Sequence, residues 1–224
     1  MLQYLLPILA VIVGAALVLL TRKKAYFNFK LLLAFSGAFL LALTLFELLP
    51  EVYAHLDPKQ TGLYIMFGIL IQIILEFFSK GAEHGHVHVH TDGEDFPWAL
   101  FISLCIHSFL EGFPIHEHND MVYGILIHKI PIATVITGFL IHSKFSKIQV
   151  ISFLVIFASM TPLGTYISNH VSIFAEYISV INAIVIGIFL HISTTILFES
   201  GEGHKFNLTK LIAIVLGIAA AYMI

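Results

Sequence analysis

The chain has 224 residues, of which 58% are hydrophobic and 11% charged, with a formal net charge of -3. Soluble domains carry about a quarter charged residues, so this composition excludes both an ordinary soluble protein and a disordered one. At ~28 residues for each membrane-crossing helix and its connection, about eight spans fit. The expected fold is an all-α integral membrane protein, an eight-helix transmembrane bundle forming one domain over residues 1–224.

The first apolar run covers about 2–20 and ends at Thr21-Arg22-Lys23-Lys24. It lacks a charged n-region and a small-residue cleavage site, so it reads as a retained span rather than a secretory leader. Further runs fall at about 31–50, 62–78, 97–115, 121–142, 148–168, 173–198 and 208–224. Each is long enough to cross as a helix, whereas barrel strands would be about half as long and would alternate.

Loop charge orients these runs. With the N-terminus outside, Arg22, Lys23, Lys24, Lys30, Lys80, Lys144, Lys147, Lys205 and Lys210 fall on the inner side. Only Lys59 falls on the outer side, and Lys129 lies inside a span. That positive-inside bias predicts both termini outside and an even number of spans.

The loop of residues 79–96 between spans three and four is then cytoplasmic. It carries His84, His86, His88 and His90 at alternate positions, followed by Asp92, Glu94 and Asp95. Alternating His in an acidic segment is a labile metal-binding tract, the alternative being a solvated linker. The chain holds 13 His, more than its 11 Lys and Arg together, which points to metal or proton chemistry. The single Cys105 excludes a disulfide framework and a Cys-rich metal site. No basic patch with interleaved aromatics occurs, so nucleic acid is not an expected partner.

An internal echo links Gly37-Ala38-Phe39-Leu40 in span two with Gly187-Ile188-Phe189-Leu190 in span seven. Phe46-Glu47 and Phe198-Glu199 echo each other with a two-residue slip. Spans two and seven cross in opposite directions. This would suit an inverted repeat of spans 1–3 and 6–8, with spans four and five on the pseudo-axis.

Polar groups inside a span cost a few kcal/mol each and by default face a cavity or one another. Span four carries His107, Ser108, Glu111 and Gly112. His107 and Glu111, at i and i+4, share a helix face about 6 Å apart and can grip one divalent cation. They can equally make a hydrogen bond that packs the bundle. Span five carries His128-Lys129-Ile130-Pro131, and His128 lies at about the depth of Glu111, roughly 8 Å inside the outer boundary. Pro131 removes a backbone donor, which is tolerated where the helix lines a cavity, and Pro114 can do the same in span four. His191 in span seven faces the same pathway or bonds a backbone carbonyl. Glu47 lies near the outer mouth, and His116, Glu117, His118 and Asp120 form an outer polar cluster. Glu76 and Glu199 lie near the inner ends, where snorkelling is the ordinary expectation. Lys129 either snorkels outward or turns inward, with Glu111 as its nearest candidate partner.

Together these residues resemble the ZIP (Zrt/Irt-like) family of divalent metal permeases. The family pattern H-N-x-x-D-G in span four stands here as His107-Ser108-x-x-Glu111-Gly112. The pattern H-E-x-P-H-E-x-G in span five stands as His128-Lys129-x-Pro131-Ile132-Ala133. The Leu48-Leu49-Pro50-Glu51 end of span two, the His-rich loop and Thr161-Pro162-Leu163-Gly164 in span six extend the likeness over the whole chain. The resemblance implies a metal site of His107, Glu111 and His128, with Ser108 at the family's Asn position; His191, from its place in span seven, is a further candidate ligand. It also implies a homodimer and a rigid-body slide of the bundle that carries the site. The departures at Ser108, Lys129, Ile132, Ala133 and Thr161 remove most ligands of the family's second site. They leave Lys129 as a cation in place of that second metal.

The expected function is transport of a divalent cation, most of all Zn²⁺, toward the cytoplasm by alternating access. The metal is cargo and no prosthetic group is expected. No ATP-binding motif appears, so a metal or proton gradient must drive the flux. Two other classes stay open at this point: a membrane-embedded zinc hydrolase using a metal-bound water, and a non-transporting metal sensor. A bacterial cytoplasmic membrane is the expected location.

Overall fold

The structure, a computed structural model, describes residues 1–20, 29–79, 96–116, 120–199 and 208–224. The His84–His90 tract, Glu117, His118 and the side chain of Glu199 lie outside the described residues. Every described element is a helix. We label the principal ones α1 (Leu2–Leu20), α2 (Phe29–His55), α3 (Pro58–Ser79), α4 (Trp98–Leu110), α5 (Met121–His142), α6 (Lys147–His170), α7 (Ile178–Glu199) and α8 (Leu208–Tyr222). A one-turn helix, Ser172–Glu176, precedes α7. Six of the eight are long and apolar enough to cross a membrane, while α4 and α8 are shorter apolar helices.

Local chemistry sets several ends. Pro58 opens α3 at the position where its missing N–H is not needed, and Asp57 Oδ1 accepts from the backbone N–H of Lys59 and Gln60 at 3.0 and 3.2 Å. At the start of α6, Ser146 and Gln149 form a capping box. Inside α2, residues Thr44–Leu48 form a π-helical turn that carries Glu47.

α4 ends earlier than the apolar run predicts: its helix stops at Leu110, not near residue 115. Residues 111–114 form turns, with Gly112 N–H on Phe109 O and Phe113 N–H on Leu110 O. Pro114 disfavours helical backbone at Phe113. α6 then supplies the donors that the broken end needs. Thr161 Oγ1 donates to Ser108 O, Thr165 Oγ1 to Gly112 O and Ser168 Oγ to Phe113 O, at 2.8, 2.9 and 2.9 Å. Pro114 therefore follows the helix end instead of interrupting it.

Four close crossings organise the bundle, each at small residues that let backbones approach. Gly112 in the turn after α4 meets Gly164 of α6, and Gly68 of α3 meets Gly187 of α7. Gly14 of α1 rests on Ala133 of α5, and Gly217 of α8 on Ala38 of α2. α1, α4, α5 and α6 share one apolar core through Val11, Leu104, Ile136 and Phe157. The other core joins α2 and α7 through Phe39, Leu43, Ile186 and Phe189, and it reaches the N-terminal part of α5 at Ile125. Outward faces are equally apolar, as Leu9 on α1, Phe67 on α3 and Leu216 on α8 are all about half exposed. That inversion of the soluble pattern is what a lipid-facing surface requires.

Candidate metal centre

The unwound end of α4 and the N-terminal half of α5 face each other between the two cores. His107 and Glu111 project from α4 and its cap, and His128 projects from α5. One ligand atom from each lies within 4.8 Å of the others, and all three residues are buried. His107 Nε2 is 2.9 Å from Glu111 Oε1, and His128 Nε2 is 3.8 Å from the same oxygen. The imidazole centroids are 6.4 Å apart and the rings nearly perpendicular, at 76°.

The second oxygen of Glu111 has a different partner. Lys129 Nζ donates to Glu111 Oε2 at 2.6 Å and to Ser108 Oγ at 2.7 Å. The ammonium lies 4.8 Å from the centre of the Phe157 ring, within cation–π range. Lys129 is 1% exposed, so it does not snorkel to the interface. Turned inward, it keeps a desolvated charge paired, which is the condition for a charge to persist inside a bundle.

Ser108 belongs to this cationic side. Its hydroxyl accepts from Lys129, lies 3.0 Å from Thr161 Oγ1 and reaches Phe157 O at 3.3 Å. Its backbone carbonyl is capped by Thr161. The structure therefore groups Ser108 with Lys129 and Thr161, apart from the two imidazoles. His191 is also placed elsewhere. Its Nε2 lies 2.6 Å from Glu76 Oε2, linking α7 to α3. Glu76 is thus paired within the bundle, in contrast to the snorkelling expected of it.

One participant carried no signal in the sequence. Gln72 of α3 is fully buried, and its Oε1 lies 3.2 Å from His107 Nδ1. With Nδ1–H donating to that amide oxygen, Nε2 is the nitrogen turned toward Glu111 and His128. This is the arrangement in which an outer partner sets the tautomer of a metal-binding His. The 2.9 Å contact between Nε2 and the carboxylate then needs a proton, and a divalent ion can take that proton's place. Two imidazoles and a carboxylate suit Zn²⁺, with Fe²⁺, Mn²⁺ and Co²⁺ also compatible. Zinc holds such ligands at about 2.0–2.2 Å, so binding would draw the three groups closer together.

Near the start of α5, Glu47 Oε2 accepts from the backbone N–H of Asp120 at 3.2 Å, and His116 Nε2 lies 3.7 Å from Glu51 Oε1. These contacts tie α2 to the turn before α5 and stand apart from the buried trio.

The ZIP Zinc transporter family model matches residues 94–224, which include every residue of the trio. Zinc transporter ZIP1 of Danio rerio is 31% identical over 87 residues, 36% of this chain and 29% of that protein. The match thus spans under a third of the relative's length.

Proposed function

Given that the chain belongs to the ZIP zinc transporter family, we propose that it carries a divalent cation, Zn²⁺ foremost, toward the cytoplasm through a site of His107, Glu111 and His128. The observation that carries this reading is the convergence of the three ligand atoms within 4.8 Å in a buried position between two helical cores. A family of transporters also favours transport over the hydrolase and sensor alternatives.

All eight principal helices cross the membrane in this reading, with both termini outside. The inner-side excess of Lys and Arg supports that orientation. The close crossings support an inverted repeat. Relating spans 1, 2 and 3 to 6, 7 and 8, and span four to span five, turns the α1–α5 crossing into α6–α4 and the α3–α7 crossing into α8–α2.

Alternating access is supported by the burial of the trio and by the division of the helices. α1, α4, α5 and α6 pack as one group and carry every proposed ligand, while α2, α3, α7 and α8 form the other. A slide of the first group against the second would expose the site to each side in turn. Lys129 acts as a permanent second cation and limits the site to one metal, because an ammonium repels another ion beside it. A homodimer in a bacterial cytoplasmic membrane completes the proposal.

Zinc flux into sealed proteoliposomes tests it. The wild-type chain should load a trapped zinc dye, and His128→Ala should abolish the signal while inserting normally. An inserted wild-type protein that moves no zinc, or a His128→Ala variant that moves it at the wild-type rate, would refute the assignment.

A further inference from the structure

Gln72 and Glu76 are four residues apart on α3, so they share one face about 6 Å apart along the axis. Gln72 touches His107 of the proposed ion site across the boundary between the two helix groups. Glu76, one turn nearer the cytoplasm in the orientation above, pairs with His191 of α7 within the other group. The His107–Glu111 pair of the proposed ion site and the His191–Glu76 pair also differ in exposure. The side chains of His107 and Glu111 are 2% and 1% exposed, whereas those of His191 and Glu76 are 20% and 25% exposed.

We propose that Glu76 and His191 form a second, weak divalent-cation station that receives the ion from His107, Glu111 and His128 on its way to the cytoplasm. This inference rests on the transport reading above. The fit has three parts. First, an imidazole and a carboxylate in contact supply one nitrogen and one oxygen donor, and partial exposure lets water complete the coordination. Two protein ligands bind weakly, which suits a station that must release its ion. Second, a slide of one helical turn, about 5.4 Å, would carry His107 from Gln72 to the level of Glu76. A neutral amide would thus face the loaded site at one end of the stroke and a carboxylate at the other. Third, the close α3–α7 crossing at Gly68 and Gly187 holds α3 and α7 together, so Glu76 and His191 stay paired while the other group moves.

The competing explanation is a polar staple between two helices. Glu76→Gln separates the two, because an amide oxygen still accepts from the imidazole but no longer supplies a carboxylate ligand. The four loop histidines are first replaced by Ser so that they do not compete for metal. Calorimetric zinc titration of the purified full-length chain should then show one tight and one weak ion. Glu76→Gln and His191→Gln should each remove only the weak step, and His128→Ala only the tight one. In proteoliposomes, Glu76→Gln should lower the rate at saturating zinc about tenfold, and Glu76→Asp should restore much of it. If Glu76→Gln keeps both binding steps and the parent rate, the pair is a staple and the station is disproved. A failure of the transport reading would look different: the parent protein itself would move no zinc, or His128→Ala would leave the tight step intact.

Discussion

Glu111 and Lys129 form an ion pair of 2.6 Å in which each side chain is 1% exposed. The other oxygen of the same carboxylate faces His107 and His128. A single carboxylate thus divides itself between a fixed cation, covalently part of α5, and the place proposed for a mobile one. That division fixes the orientation of the carboxylate, with one oxygen held by Lys129 and the other turned toward the imidazoles.

Lys129→Glu should reverse the balance. Two carboxylates would then share a desolvated pocket and repel each other unless a cation lies between them. The expected result is a protein less stable without metal, with a melting temperature that rises when zinc is added. Its metal stoichiometry should increase or its ion selectivity change. Unchanged stoichiometry, selectivity and flux would mean that Lys129 has no part in limiting the site.

Removing the ammonium alone tests the pair as structure. Lys129→Met leaves Glu111 as a buried anion without its main counter-charge, a loss of about 3–5 kcal/mol. Thermal unfolding in detergent should show a clear drop, and zinc should recover part of it by replacing the missing positive charge. A variant as stable as wild type would show that the pair contributes little.

His107→Ala and His128→Ala should each weaken zinc binding by at least about 100-fold, since losing even an outer partner of a metal ligand costs 10–100-fold. Zinc titration of the purified variants measures this directly. Were both to bind zinc as wild type does, the ion would have to be held elsewhere.

Replacing His84, His86, His88 and His90 with Ser should change apparent affinity or regulation and leave substantial flux. These residues fall in the sequence between the apolar runs 62–78 and 97–115, not within either. Complete loss of flux in a correctly inserted protein would show that the tract is an obligatory part of the path.

Gly164→Ala should act on the site from a distance. A Cβ there would collide with the backbone carbonyl of Phe109, so α6 must move away from the end of α4. The hydroxyl donors from Thr161, Thr165 and Ser168 would lengthen with it. Overpacking of this kind costs about 1–3 kcal/mol. The measurement is the unfolding temperature, together with zinc affinity, which should fall as Glu111 loses its support.

Much of the architecture was written in the sequence because lipid imposes a one-dimensional rule. Every backbone polar group in the membrane must be satisfied, so long apolar runs become helices and charged segments become their connections. The predicted runs accordingly coincide with α1 to α8, with bounds differing mostly by a few residues. The pairing of His107 with Glu111 was also legible, because i,i+4 geometry is local to one helix.

What the tertiary structure alone decided were the contacts between helices. The donors that satisfy the broken end of α4 come from hydroxyls about 53 residues away on α6. Lys129 had two open directions in the sequence, and only the approach of Glu111 and Ser108 from another helix turned it inward. Ser108 and His191 were legible as candidates by type, and only the packing set their neighbours, Thr161 and Lys129 for one and Glu76 for the other. Gln72 was a lone neutral amide in an apolar run, without charge or motif to mark it. Its position against His107 follows from the packing of α3 on α4, a relation that periodicity along a single helix does not encode.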